Sequence, residues 1–245
     1  MILHLAINEI KLLHRTKMGY LFVGVYMMVS SLLFWVIDND YNIISSGIGD
    51  LRPFFELSPW LLAFLIPAIS MKSFSDETQN GTLEILFSSP ISLAHLVIGK
   101  FIGILSLILF ALLPLIVYFF AIQQLSEPRG YFDWMSHLSG LLSIFLVGTV
   151  YTGLSICLSI LFRNSVLVVI IGVIACLFHY YGWFYIANLS RDFYWYQFID
   201  SIGILNHYLS PSRGVLGVSD VFYFLFNTLL FLFFGISLLH QLRHR

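Results

Sequence analysis

The chain has 245 residues, of which 59% are hydrophobic and 10% are charged, and its formal net charge is −1. An ordinary soluble domain has about 45–50% apolar and about 25% charged residues, so this composition excludes a water-soluble globular fold. The net charge says nothing about a partner, because in a membrane chain the informative quantity is how the charges divide between the two sides.

The residues before the first long apolar run form a predicted surface helix. Its polar residues recur every three or four positions on one helical face: His4, Asn8, Lys11 and Arg15. Apolar residues occupy the opposite face, which indicates a basic amphipathic helix lying on the inner membrane surface. The apolar run that follows ends without a small-residue cleavage site. We therefore expect the first span to be retained and not removed as a signal peptide.

Six apolar runs in the chain contain no Lys, Arg, Asp or Glu. They cover residues 19–37, 57–71, 101–122, 138–162, 165–187 and 221–239. A helix of ~20 apolar residues crosses a hydrocarbon layer ~30 Å thick, so each run is a candidate membrane span. The second run is short, and we expect it either to extend back to Pro53 or to tilt less than its neighbours. The sequence therefore predicts an all-α integral membrane protein with six transmembrane helices, in which residues 1–245 form a single transmembrane domain.

The two sides of the six predicted spans carry unequal numbers of positive residues. Eight Lys and Arg lie on the side of both termini, whereas four lie on the opposite side. The positive-inside rule then predicts that both termini of this multi-pass protein are cytoplasmic. The acidic residues are skewed the other way, which agrees with this orientation.

Prolines and small residues within the runs predict how the helices pack. Pro67 and Pro114 are expected to kink the second and third spans, because proline removes a backbone donor and crowds the preceding turn. The fourth run has small residues four positions apart, a spacing that lets helices approach closely, either within the chain or against a second subunit. The outer segment 188–220 is rich in aromatic residues, which prefer the membrane interface, so it is expected to dip into the outer leaflet.

The sequence shows no motif for catalysis or nucleotide binding, such as a glycine-rich phosphate-binding loop or a His-Glu-x-x-His metal site. His179 is the one candidate for ion coupling inside a run, and we interpret it instead as an interface histidine with its polar group satisfied. His240 and His244 have metal-ligand spacing, but a polar anchor at the inner surface is the preferred interpretation. Cys157 and Cys176 are expected to be packing residues. We therefore predict no enzymatic activity, no metal and no cofactor in this chain, so that energy for uphill transport would come from another polypeptide.

The inward segment between the second and third spans is the most informative stretch of the sequence. Thr82 is a predicted helix N-cap, and Glu84 would stabilise the positively polarised first turn. Pro90 ends this helix after about two turns, and Ser92 caps the next helix, which runs into the third span. The sequence therefore predicts a short cytoplasmic helix between two spans.

Three apolar residues of this short helix, Leu83, Leu86 and Phe87, are expected to be available to enter a groove on a partner. Gly81 would permit the close approach of the two surfaces. Judged from these residues alone, a solvated loop with a structural helix is the alternative to a docking element.

The same segment shows a family resemblance. It contains Phe-Ser-Asp-Glu at 74–77, Gly-Thr-Leu-Glu-Ile-Leu at 81–86 and Ser-Pro-Ile at 89–91. This pattern resembles the cytoplasmic coupling segment of the type-2 ABC exporter permeases. The likeness extends over essentially the whole chain, including residues 54–60 and 212–215. Within the family it is greatest to the permease subunits associated with gliding motility.

The resemblance implies a permease subunit of an exporter linked to gliding motility, located in a bacterial inner membrane and without its own nucleotide-binding site. It also implies two kinds of partner: a cytoplasmic ATP-binding subunit, which binds the ATP, and a second permease copy or a related permease. In the family the N-terminal helix and the loop helix meet the ATP-binding subunit. The loop residues that match the family pattern are Asp76, Glu77, Gly81, Thr82, Leu83, Glu84, Leu86, Phe87 and Pro90. The resemblance implies no nucleic-acid partner and names no substrate.

A second hypothesis is a structural membrane subunit, in which the same fold anchors a motility or envelope complex without transporting anything. Substrate-stimulated ATP hydrolysis by the reconstituted complex would separate these two classes. An intramembrane enzyme is the least favoured class, because no span offers paired polar or ionisable groups for acid–base or nucleophilic chemistry.

Overall fold

A computed structural model shows a bundle of α-helices, and no strand occurs in the part of the chain that it describes, residues 2–46, 51–88, 92–125 and 133–243. The first half contains α1 (Ile2–Arg15), α2 (Lys17–Ser31), α3 (Ile43–Ser46), α4 (Arg52–Ser70), α5 (Ser75–Gln79), α6 (Leu83–Ser88), α7 (Leu93–Leu112) and α8 (Ile116–Leu125). The second half contains α9 (Trp134–Leu161), α10 (Ser165–Leu177), α11 (Trp183–Ala187), α12 (Phe193–Asp200), α13 (Ile204–Ser212) and α14 (Val218–Arg243). Short π-helical turns at Leu32–Val36 and Phe178–Gly182 extend α2 and α10.

Within the described residues, six helical stretches are long and apolar enough to cross a membrane. They are Lys17–Val36, Arg52–Gln79, Leu93–Gln124, Trp134–Leu161, Ser165–Ala187 and Val218–Arg243. The predicted all-α membrane fold with six spans is therefore confirmed. The second stretch begins at Arg52, so the predicted extension back to Pro53 is confirmed as well.

The two prolines inside the spans have different effects on their helices. Pro114 lies in a 3₁₀ turn, Leu113–Leu115, which separates α7 from α8, so a local departure from α-helical geometry is confirmed there. Pro67 lies within α4, and the helix continues through it. A Cβ added to Gly172 of α10 would lie 2.7 Å from the Cβ of Pro67. Pro67 therefore forms a close packing contact between two spans.

Helix α9 lies at the centre of the bundle, and 78% of the residues in its apolar segment are buried. It packs against α4, α7, α10, α13 and α14. Gly153 allows α14 to approach, since a Cβ at this position would lie 3.3 Å from the Cβ of Phe231. At the same interface the hydroxyl groups of Thr149 and Thr228 form a hydrogen bond of 2.9 Å. The small residues of the fourth span therefore pack within the chain, which is one of the two alternatives that the sequence left open.

The segment between the fifth and sixth spans contains α11, α12 and α13. Large aromatic side chains of α12 are exposed: Phe193, Tyr194, Trp195 and Phe198. Helix α13 is held to the bundle, because the hydroxyl of Tyr208 donates a hydrogen bond to the carbonyl of Phe55. His207 Nδ1 also lies 2.8 Å from Asp220 Oδ1 at the start of α14. The exposed aromatic surface of α12 suits a membrane interface, as the composition of this segment predicts.

A candidate coupling surface at one end of the bundle

The loop between the second and third spans folds into two short helices, α5 and α6, separated by a sharp turn. Asp76 and Glu77 lie in the first turn of α5, where negative side chains are favourable. Gly81 has φ 69°, a left-handed conformation that glycine adopts without steric cost and that commonly ends a helix. A Cβ at Gly81 would meet nothing within 4 Å, so this glycine serves the backbone turn and allows no close approach within the chain. The predicted short helix after it is confirmed as α6.

Hydrogen bonds fix α5 to the region where α9 gives way to α10. The hydroxyl of Ser75 donates to the carbonyl oxygen of Arg163 at 2.8 Å. The hydroxyl of Ser165, the first residue of α10, donates to the carboxylate of Asp76. Asp76 was predicted from the sequence as a residue that faces the ATP-binding subunit. Its carboxylate accepts this hydrogen bond within the chain, and its contact with the ATP-binding subunit stays a prediction.

An ion cluster joins α5 to two further helices. Lys100 Nζ of α7 lies 2.6 Å from Glu77 Oε1 of α5 and 3.4 Å from Glu9 Oε1 of α1. The same ammonium group lies 5.2 Å from the centre of the Phe74 ring, within the range of a cation–π contact. The Lys100 side chain is only 6% exposed. One buried cation therefore connects the N-terminal helix, the loop and the third span.

Neither Glu9 nor Lys100 was identified as a functional residue from the sequence. Glu77 and Lys100 are 23 positions apart, and Glu9 lies in a different segment of the chain, so no local spacing pairs them. Two signals were nevertheless present. Glu9 is an acidic residue on an otherwise basic helix, and Lys100 lies directly before a long apolar run. Both residues carry a charge beside apolar segments, where a charge is costly unless a group of opposite charge pairs with it.

Helix α1 exposes the polar face that the sequence predicts. The four polar residues of that face are all exposed: His4, Asn8, Lys11 and Arg15. The opposite face packs against α7, where a Cβ on Gly99 would lie 3.5 Å from the Cβ of Leu5. Ala6 on the same face is buried. The helix is therefore amphipathic, with its apolar side against the third span.

The prediction that Leu83 projects from α6, available to enter a groove on a partner, is wrong. Leu83 is 7% exposed and belongs to the core of this chain, and Phe87 is partly buried against that core. A short helix beside a bundle stabilises itself by burying its apolar side there. Glu84 is exposed, as is Thr82, whose hydroxyl donates to the carbonyl oxygen of Glu77 at 3.2 Å.

Two other predicted coupling residues cannot be compared with the structure. Leu86 belongs to helix α6, but its side chain lies outside the described residues, as does the whole of Pro90. Their predicted role in contacting a partner stays a prediction.

A cleft of about 510 Å³ opens beside α6. The end of α9 and the end of α14 form its other walls. Its lining combines apolar side chains with polar and charged ones: Thr78, Leu83, Glu84, Phe87, Ile160, Leu161, Arg163, Leu242 and Arg243. This end of the bundle therefore has both a fixed helix, α5, and an open recess next to α6.

The structure also places the residues considered for other chemistry. His179 is buried in the turn Phe178–Gly182, and its Nδ1 accepts a hydrogen bond from Trp183 Nε1 at 3.1 Å. The predicted satisfaction of this histidine therefore holds for Nδ1. Cys157 and Cys176 are free thiols. Among the described residues, no group of three His, Cys, Asp or Glu could hold a metal ion, and His244 lies outside that part of the chain.

These features define a multi-pass helical membrane protein with a loop that is fixed to several spans at one end. The family model described as ABC-2 family transporter protein matches residues 14–241, which is most of the chain. The chain therefore belongs to the ABC-2 transporter family. It is a permease component of an ABC transporter, and the family implies a separate ATP-binding subunit and a lipid bilayer as its partners. Among curated proteins, none matches the sequence.

Proposed function

We propose that this permease couples to its ATP-binding subunit through the surface formed by α1, α5 and α6, and that it acts as an exporter. The positive-inside rule supports a cytoplasmic location for this surface and for both termini. The observation that carries the proposal is the fixation of α5 to two spans. Glu77 of α5 forms an ion pair with Lys100 of α7, which also pairs with Glu9 of α1. A hydrogen bond ties Asp76 of α5 to the start of α10.

A segment fixed in this way can transmit a displacement to the spans. When ATP closes the partner subunits, a movement of α5 reaches α7 through Lys100 and reaches α10 through Asp76. Rigid elements with few alternative arrangements pass on such movements better than a solvated loop does. The permease would then alternate between two states that differ in which side is open, because the ATP-bound partner favours one of them.

The narrower prediction, an exporter linked to gliding motility, rests on the overall likeness of the chain to that subgroup. Pairing with a second permease copy or a related permease is supported by the same likeness. Both stay predictions, and no substrate follows from either.

The experiment compares two lysines that differ in burial. The complex is purified from native membranes in mild detergent and reconstituted, and ATP hydrolysis is measured for wild type, Lys100→Met and Lys72→Met. Lys72 is exposed, so its change tests the loss of one positive charge without loss of the cluster. We expect the wild type and Lys72→Met to retain the ATP-binding subunit and the stimulation of its ATP hydrolysis by substrate. We expect Lys100→Met to lose this stimulation.

Two outcomes would count against the proposal. If the wild-type chain retains no ATP-binding subunit, the assigned coupling is wrong. If the subunit is retained but no candidate substrate stimulates hydrolysis, the structural-subunit hypothesis becomes the better one.

A further inference from the structure

The apolar side of α6 faces its own chain, which leaves open how a partner subunit would bind this end of the permease. Leu83 is buried and Phe87 is half-buried, so α6 cannot insert both side chains into a groove on another protein without first leaving the bundle. Both side chains instead line the cleft beside α6. The surface at α6 is therefore a cleft lined by these side chains, whereas the sequence predicted side chains that project into a groove on a partner.

The cleft is large enough for a bound protein segment. Its volume of about 510 Å³ lies within the range of about 300–1,000 Å³ that is typical of ligand pockets in proteins. A second recess of about 170 Å³ lies between α9 and α14 and shares the lining residues Ile160, Leu161 and Leu242. The apolar lining therefore continues along the ends of these two helices.

The charged residues of the cleft favour an acidic occupant. Arg163 and Arg243 both line it and both are exposed. Within the described residues, neither arginine forms an ion pair with a carboxylate. Among the described residues of the lining Glu84 is the one acidic side chain, so positive charge is in excess there. Arginine is well suited to bind carboxylates, because its planar guanidinium forms paired hydrogen bonds.

We propose that this cleft receives a segment of the ATP-binding subunit that carries an apolar side chain next to Asp or Glu. The apolar side chain lies against Leu83, Phe87 and Leu161, and the acidic group pairs with Arg163 and Arg243. The inference rests on the proposed function, because it takes the partner from there. It assigns the recess to the permease and the projecting side chain to the ATP-binding subunit.

The cleft lies at the ends of two spans, and only one of its walls is outside them. Two membrane-spanning stretches end in its lining, one with Ile160 and Leu161 and the other with Leu242 and Arg243. The wall that favours a protein segment over an anionic lipid is helix α6, which lies outside all six stretches, where a cytoplasmic protein can reach it. It also follows directly after α5, which is fixed to the spans. A segment seated here would therefore contact the part of the loop that is best connected to the bundle.

The first test reverses charges. The double variant Arg163→Glu/Arg243→Glu should reduce retention of the purified ATP-binding subunit at least about tenfold, because carboxylates would then face carboxylates. The matched control Lys72→Glu changes an exposed lysine outside the cleft and should retain the subunit as the wild type does. Glu84→Lys removes the acidic group of the lining and should increase retention. Equal retention by the double variant and the control would overturn the proposal.

The second test changes no charge, so it does not depend on whether a charge-reversal variant folds. A photo-crosslinking amino acid replaces Leu161, which is 54% exposed and lines the cleft. In the complex that carries this single replacement, we expect the crosslinked peptide to come from the ATP-binding subunit and to contain Asp or Glu beside an apolar residue. A peptide without an acidic residue, or a crosslink to phospholipid, would refute the proposed occupant. If the wild-type permease retains no ATP-binding subunit at all, the proposed function itself fails, and this result is distinct from the others.

Discussion

Helices α5 and α6 follow one another in the same loop, yet different forces hold them to the bundle. The sequence of α5 is Ser-Asp-Glu-Thr-Gln, and its first three side chains bond to other elements. Helix α6 is held by the apolar contacts of Leu83 and Phe87, and it borders an open cleft. The comparison teaches that the polar part of a loop beside a membrane can be its most firmly fixed part, because Ser75 and Lys100 are buried where water does not compete for their bonds.

The largest expected effect comes from the centre of the α5 contacts. Lys100→Met leaves Glu77 and Glu9 without their shared counter-charge, and removal of one partner from a buried ion pair costs about 3–5 kcal/mol. We expect a clear fall in the melting temperature of the detergent-solubilised protein. The triple variant Glu9→Gln/Glu77→Gln/Lys100→Met carries no unpaired charge and should recover most of that loss. If Lys100→Met melts like the wild type, the ion cluster is not what fixes α5.

A smaller effect is expected on the other side of α5. Ser165→Ala removes the hydroxyl that donates to the half-buried Asp76, and the loss of such a hydrogen bond costs about 1 kcal/mol. The control is Ser201→Ala, because the Ser201 hydroxyl is in an exposed turn and donates to the nearby carbonyl of Phe198. Its change should lie within about 0.5 kcal/mol of the wild type. Thermal melting that shows equal stability for both variants would mean that α5 is not held at α10.

The smallest expected effect concerns Gly81, in the turn between α5 and α6. It is best measured by comparing the direction in which two glycine variants change the melting temperature. Gly81→Ala places a side chain on a residue with φ 69°, which costs about 1 kcal/mol. Gly24→Ala lies inside α2, where a Cβ meets nothing within 4 Å, and alanine there should stabilise by about 0.5–1 kcal/mol. Melting temperatures that move in the same direction would show that the turn does not depend on its left-handed residue.

The membrane spans could be predicted from the sequence because uncharged apolar runs have few alternatives to crossing a bilayer. Their ends were harder to predict. The second run was set at 57–71 because Glu56 and Arg52 are charged, but α4 begins at Arg52. Charged residues are excluded from the middle of a span and accepted in its end turns, which reach the interface. Rules based on charge therefore shorten a span.

The candidate site was only partly predictable. The turn at Gly81 and the helix after it follow from local residue preferences, which the sequence contains directly. The contact between Glu9 and Lys100 joins residues that are distant in the chain, and such contacts depend on how the helices pack. The orientation of Leu83 depends on the same packing. An amphipathic pattern shows that a helix has an apolar side, but it does not say which surface covers that side.

The most direct test of the central claim, that the α5 and α6 end of the bundle meets a cytoplasmic ATP-binding subunit, is photo-crosslinking in native membranes from two exposed positions. Asn80 lies at the end of α5, and Gln124 lies near the end of α8 on the other side of the third span. We predict that a photo-crosslinking residue at Asn80 captures the ATP-binding subunit and that one at Gln124 does not. Capture from Gln124 with none from Asn80 would contradict both the orientation and the assigned coupling surface.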